Sequence, residues 1–83
     1  MVESETASIM QTNDAMELLI VEDEQRLGKA LERGLEEAGH LCTWTRNGSQ
    51  GLELARSQQY DALVLDLMLP DLSGLDLLKQ LRQ

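Results

Sequence analysis

The sequence predicts an α/β fold built on a parallel sheet. Three short apolar runs, near residues 18–21, 41–45 and 62–66, alternate with stretches of helical character. The connections between them are short, so each strand–helix unit takes about 20–25 residues. Acidic residues gather where the first and third runs end, the end of a parallel sheet where α/β proteins place their sites.

Leu18, Leu19, Ile20 and Val21 form an unbroken apolar run that stops at Glu22-Asp23-Glu24, the pattern of a strand buried on both faces. From Gln25 to Ala38, Leu27, Ala30, Leu31, Gly34, Leu35 and Ala38 recur at helical spacing. They predict an amphipathic helix with that stripe toward the core. Gly39 stands where a left-handed residue closes a helix, and Asp23 or Glu24 supplies negative charge at the opposite, positive end. Glu32, Arg33, Glu36 and Glu37 read as the solvated face of the same helix.

Leu41 to Thr45 alternates threonines with larger residues, which fits a strand with one wet face or a place at the sheet edge. Asn47-Gly48-Ser49 is turn and cap chemistry, and Leu52, Leu54 and Ala55 predict a short helix to about Ser57. Tyr60-Asp61 leads into Ala62–Leu69, the most apolar stretch of the chain. It predicts a buried strand ending near Asp66 and running into a loop at Pro70. Ser73 caps a last helix whose expected packing face is Leu75, Leu78 and Leu81. The order βαβαβα calls for right-handed crossovers between parallel strands. Residues 1–15 are polar, acidic and without period, so they are expected to form a flexible tail ahead of one domain over residues 16–83.

Composition narrows the function. The chain has 83 residues, 42% apolar and 27% charged, which suits one small globular domain. Its net charge of −8, from 15 acidic and 7 basic side chains, would repel a phosphate backbone and argues against direct nucleic-acid binding. Neither a secretory signal nor a membrane span is expected: Arg26 is the first basic residue, and no apolar run nears about 18 residues. Cys42 is the one cysteine and suits a reducing, cytoplasmic setting. Cys42 and Trp44 are expected to serve packing. His40, also single, leaves no zinc cluster to build. Gly28, Gly34 and Gly39 do not lie between strand and helix as a dinucleotide fingerprint requires.

Glu22 and Asp23 end the first strand and Asp66 the third, so if these strands are neighbours their tips lie about 4.8 Å apart. Three carboxylates in one crevice repel one another, and a hard divalent cation such as Mg²⁺ holds them ionised. A carboxylate beside Mg²⁺ can attack a phosphoryl group and become an aspartyl phosphate, which assigns Asp66 as the nucleophile. The plainer alternatives are that Asp66 is solvated beyond the strand end, and that Glu22-Asp23-Glu24 only starts a helix.

Leu18-Leu19-Ile20-Val21-Glu22-Asp23-Glu24 and the run from Tyr60-Asp61-Ala62 through Leu65-Asp66-Leu67-Met68-Leu69-Pro70-Asp71-Leu72-Ser73-Gly74 resemble response-regulator receiver domains of two-component systems. The likeness covers roughly residues 16–83 and is nearest in flavour to the subfamily with winged-helix DNA-binding outputs, hence to transcription regulators. It implies a flavodoxin-like (CheY-like) sheet of strand order 2-1-3, truncated after βαβαβα.

By the same resemblance, Asp66 takes phosphate from a sensor histidine kinase. Asp23 and Asp66 ligate Mg²⁺ with the Met68 backbone carbonyl, and Glu22 acts through water. Pro70 and Gly74 shape the loop after the acceptor. The protein is then no enzyme, beyond Mg²⁺-dependent self-phosphorylation from a phosphodonor. A receiver normally continues with two further strands bearing a Ser or Thr and a Lys that contact the phosphoryl group. Lys29, Thr43 and Thr45 do not stand at those positions. The open edge of the third strand gives the alternative expectation, a non-catalytic module that dimerises or swaps through that edge.

Overall fold

The structure is a computed structural model and describes residues 15–82. The tail expected over residues 1–15 lies, but for Ala15, outside the described residues. Elements follow the expected order: β1 (Glu17–Val21), α1 (Gln25–Glu37), β2 (Leu41–Thr45), α2 (Gly48–Ser57), β3 (Ala62–Leu65) and α3 (Gly74–Leu81). The three strands are parallel and ordered β2-β1-β3, so the strand order 2-1-3 and the edge place of the threonine-bearing strand are both found.

β1 is central, and its apolar run accounts for that. Leu18, Leu19, Ile20 and Val21 are all buried, as a strand covered on both faces requires. Register divides them by face: Ile20 pairs with Trp44 and Val64, and Val21 with Thr45 and Leu65. The Leu19–Val21 face carries the core, in which Leu69 and Leu77 join Leu19 and Val21, with Leu52, Leu63, Leu65 and Leu81 packed around them. α2 and α3 cover that face. α1 lies on the other, where Gly28 comes against the Trp44 indole.

Local signals set the helix ends. Glu24 caps α1 by accepting from the Leu27 amide, Asn47 caps α2 through the Gln50 amide, and Ser73 caps α3 through the Asp76 amide. Gly39 closes the first unit at φ 100°, a left-handed conformation that side-chain-bearing residues resist.

Two packing expectations are corrected. In α3 the buried residue is Leu77, whereas Leu75 is 53% exposed. Positions 75, 78 and 81 drift around the helix in steps of three, while Gly74, Leu77, Leu78 and Leu81 make the narrower i, i+3, i+4, i+7 stripe that a sheet can cover. In α1, Leu27 is 47% exposed and Ala30, Gly34 and Ala38 are exposed too, leaving Gly28 buried with Leu31 and Leu35 half-buried. α1 contacts only β1 and β2 extensively, so among the described residues no neighbouring helix covers the rest of its stripe.

Cys42, half-buried on β2, is a free thiol. Burial first, then the charges of Glu36 and Glu32, raise its pKa above the ordinary thiol value, which disfavours the thiolate.

Candidate functional site

The site is built by strand register. Val21 faces Leu65 across the β1–β3 pair, and the ladder runs one step further, with the Asp66 amide donating to the Val21 carbonyl at 2.9 Å. On the other side the Glu22 amide donates to the Thr45 carbonyl at 3.1 Å. Glu22, Asp23 and Asp66 therefore stand at the same end of the sheet, beyond the carboxyl ends of β1 and β3.

The Glu22 and Asp66 carboxylates are engaged locally. Glu22 is only 8% exposed, and its Oε2 accepts from the Glu24 amide at 3.0 Å. No hydrogen bond reaches its other oxygen from the described residues. Asp66 is half-buried, and its Oδ1 accepts from the Met68 amide at 3.0 Å. Both carboxylates thus fold back on the amide two residues ahead, for Asp66 the turn habit of a short acidic side chain.

The three acids do not form a tight three-carboxylate cluster, and among the described residues no group of three His, Cys, Asp or Glu is close enough to hold a metal by itself. The donor chemistry nevertheless fits a hard cation. Every candidate ligand is an oxygen, and Glu22, a largely buried residue, has one carboxylate oxygen that no hydrogen bond from the described residues reaches, an arrangement that nearby positive charge would favour. Mg²⁺ is commonly held by one or two carboxylates with water and substrate oxygens completing its shell. The Met68 side chain is 85% exposed, so packing does not fix it and only its backbone has a part in the loop.

The loop from Asp66 to Gly74 is held at both ends. A Cβ on Gly74 would strike the Asp66 carbonyl oxygen and come within 3.0 Å of the Leu67 Cα, and the Gly74 amide donates to the Leu67 carbonyl at 3.3 Å. In mid-loop, Asp71 accepts from the Gly48 amide at 2.8 Å, the Ser49 amide at 3.0 Å and the Ser49 hydroxyl at 2.8 Å. Those bonds at the start of α2 lower the Asp71 pKa to about 2.

Sequence reasoning passed over three residues. Asp71 enters the sequence only as part of a motif, and its partners lie 22 and 23 positions away, beyond any local pattern. Trp44, expected to serve packing, also donates its Nε1 hydrogen to the Glu22 carbonyl at 3.0 Å. Arg46 Nε donates to the Asp23 carbonyl at 3.0 Å. The available signal was the indole N–H, which needs a partner whenever Trp is largely covered. Lys29, Thr43 and Thr45 stay outside the crevice's acid set: Lys29 is exposed on α1, and the Thr45 hydroxyl bonds to Gln50.

The family profile described as response regulator receiver domain matches residues 18–83. The transcriptional regulatory protein CusR of Escherichia coli K12 is 48% identical over 67 residues, covering 81% of this chain and 30% of that protein. The transcriptional activator protein IrlR of Burkholderia pseudomallei is 44% identical over 68 residues, covering 82% and 30%. Among solved structures, the receiver domain of the Francisella response regulator 1452 superposes with a TM-score of 0.79 at 33% identity, covering 81% of this chain and 55% of that one. The receiver domain of the sensor histidine kinase PA1611 from Pseudomonas aeruginosa PAO1, which carries a magnesium ion coordinated in its active-site cleft, gives 0.79 at 32% identity and covers 83% and 57%. The chain thus spans about a third of the curated relatives it matches and somewhat over half of the receiver structures.

Proposed function

The chain belongs to the response regulator receiver domain family, and from that premise we propose that Asp66 accepts a phosphoryl group from a phosphohistidine of a partner sensor histidine kinase. One observation carries the reading. A single half-buried aspartate sits at the tip of β3, its amide bonded to β1, beside the acidic turn that ends β1. The domain so defined covers residues 16–83.

In this reading an Asp66 carboxylate oxygen attacks phosphorus. The P–N bond breaks, its electron pair returns to the kinase imidazole, and an acyl phosphate is left on Asp66. Asp23 and Asp66 would hold Mg²⁺ through their carboxylates, Met68 through its backbone carbonyl and Glu22 through water. The bound cation supplies neutralising charge to the transferring oxygens. Burial of Glu22 and the loop fixed by Gly74 and Asp71 keep these oxygens in place. The group is retained on the protein itself, so the chemistry is self-phosphorylation rather than turnover of a substrate.

The names of the relatives support transcription regulation as the outcome, while the net charge of −8 argues against DNA contact by these residues. The reading places the protein in the cytoplasm, where a kinase finds its ATP, and the lone thiol of Cys42 suits that compartment. Incubation with acetyl phosphate, with and without Mg²⁺, tests the chemistry by intact mass. A Mg²⁺-dependent phosphoryl adduct that Asp66→Asn lacks is the expected result, and an adduct of equal size on Asp66→Asn contradicts it.

A second reading, self-association, draws on a different observation: β3 pairs only with β1 among the described residues. Among the described residues nothing pairs with its other edge, a row of backbone donors and acceptors to which a strand from a second copy could add. Sedimentation decides it, since a strictly monomeric species at high concentration rules it out.

A further inference from the structure

The residues that hold Asp23 in place lie on β2 and one position past its end, on the edge strand's side of the sheet that supplies no acid to the site. Asp23 stands beyond the end of β1, where the sheet ladder no longer fixes the backbone. Its two flanking peptide planes are pinned by side chains instead. The plane before Asp23 contains the Glu22 carbonyl, which accepts from Trp44 Nε1 at 3.0 Å. The plane after it contains the Asp23 carbonyl, which accepts from Arg46 Nε at 3.0 Å, and the Glu24 amide, which donates to Glu22 Oε2 at 3.0 Å. Peptide planes are rigid, so fixing both sets φ and ψ of Asp23 and with them the direction of its Cα–Cβ bond.

The indole has little room to move. It is half-buried on β2, opposite Ile20 in the ladder, and it fills the space where a side chain on residue 28 would stand. Gly28 is therefore the residue that lets the indole reach the acidic turn.

We propose that Trp44 and Arg46 are positioning residues that aim the Asp23 carboxylate at the cation site it shares with Asp66. The inference rests on the reading of that crevice as a Mg²⁺ site. Neither residue touches the cation; each acts through a backbone carbonyl. Arg46 also carries a positive charge that opposes cation binding, so replacing it changes two things of opposite sign. Trp44 gives the cleaner test.

The experiment uses the full chain with Trp44 replaced by the benzothiophene analogue of tryptophan, which keeps the ring shape and has sulfur in place of the N–H. A second sample carries 5-fluorotryptophan, which keeps the N–H. Mg²⁺ is titrated at low temperature, with every sample folded, and its Kd is read from amide chemical shifts and by calorimetry. Loss of the N–H is expected to weaken Mg²⁺ by about tenfold, in the range seen when a partner of a metal ligand is removed, while the fluorinated sample binds as the unsubstituted protein does. A purely structural role lowers the melting temperature and leaves the Kd of the folded protein unchanged. Unchanged Kd in the benzothiophene sample, with Mg²⁺ binding intact in the unsubstituted protein, overturns the proposal alone. Absence of Mg²⁺ binding in the unsubstituted protein overturns the reading of the crevice and this inference with it.

Discussion

Gly74 and Asp66 meet backbone to backbone: the space a Cβ on Gly74 would take is already filled by the Asp66 carbonyl oxygen. The first residue of α3 thereby rests on the residue proposed to carry the phosphoryl group. The loop between them is returned to its starting point in eight steps.

Gly74→Ala forces that contact apart at rigid backbone on one side. The expected cost is about 1–3 kcal/mol, the usual range for overpacking, read as a lower urea midpoint at unchanged slope. The variant is also expected to lose labelling by acetyl phosphate, because Asp66 must shift to admit the methyl group. Wild-type stability and labelling together would show that the loop is slack.

Asp71 makes stability depend on acid. Its folded-state pKa, lowered to about 2 by the Gly48 and Ser49 donors, lies below the ordinary carboxylate value near 3.8. The stabilisation is thus fully present above pH 4 or so and disappears as pH falls through about 2. Asp71→Asn should flatten the stability profile across that window and converge with the wild type at its acid end. Parallel profiles for the two proteins between those limits contradict the assignment.

Leu77→Ala and Leu75→Ala distinguish the two possible faces of α3. Leu77 has no exposed surface and belongs to the core, while Leu75 is 53% exposed. Truncating the buried residue should cost about 2–5 kcal/mol, and truncating the exposed one about 0.5 kcal/mol or less. The reverse order would restore the face expected from sequence.

Much of the fold was legible because local signals and global pattern agree. The apolar run at Leu18–Val21 demanded cover on two faces, and Gly39, Asn47 and Ser73 marked helix ends by chemistry that needs no tertiary partner. The threonines of β2 pointed to an edge. The helix faces were less legible, since six leucines or small residues in α1 and four leucines in α3 admit more than one stripe, and which one is buried depends on the neighbours present. The positions of Glu22, Asp23 and Asp66 just past the ends of β1 and β3 were readable from the apolar runs that precede them. Asp71, Trp44 and Arg46 were not, because each acts on a backbone group more than 20 residues away.

The most direct test of the central claim locates the phosphoryl group by residue. The chain is treated with acetyl phosphate and Mg²⁺, trapped with borohydride, which reduces an acyl phosphate to the alcohol, then digested and sequenced by mass spectrometry. The account predicts conversion to homoserine at position 66 alone, dependent on Mg²⁺. Reduction centred on Glu22, Asp23 or Asp71, with position 66 unchanged, would contradict it.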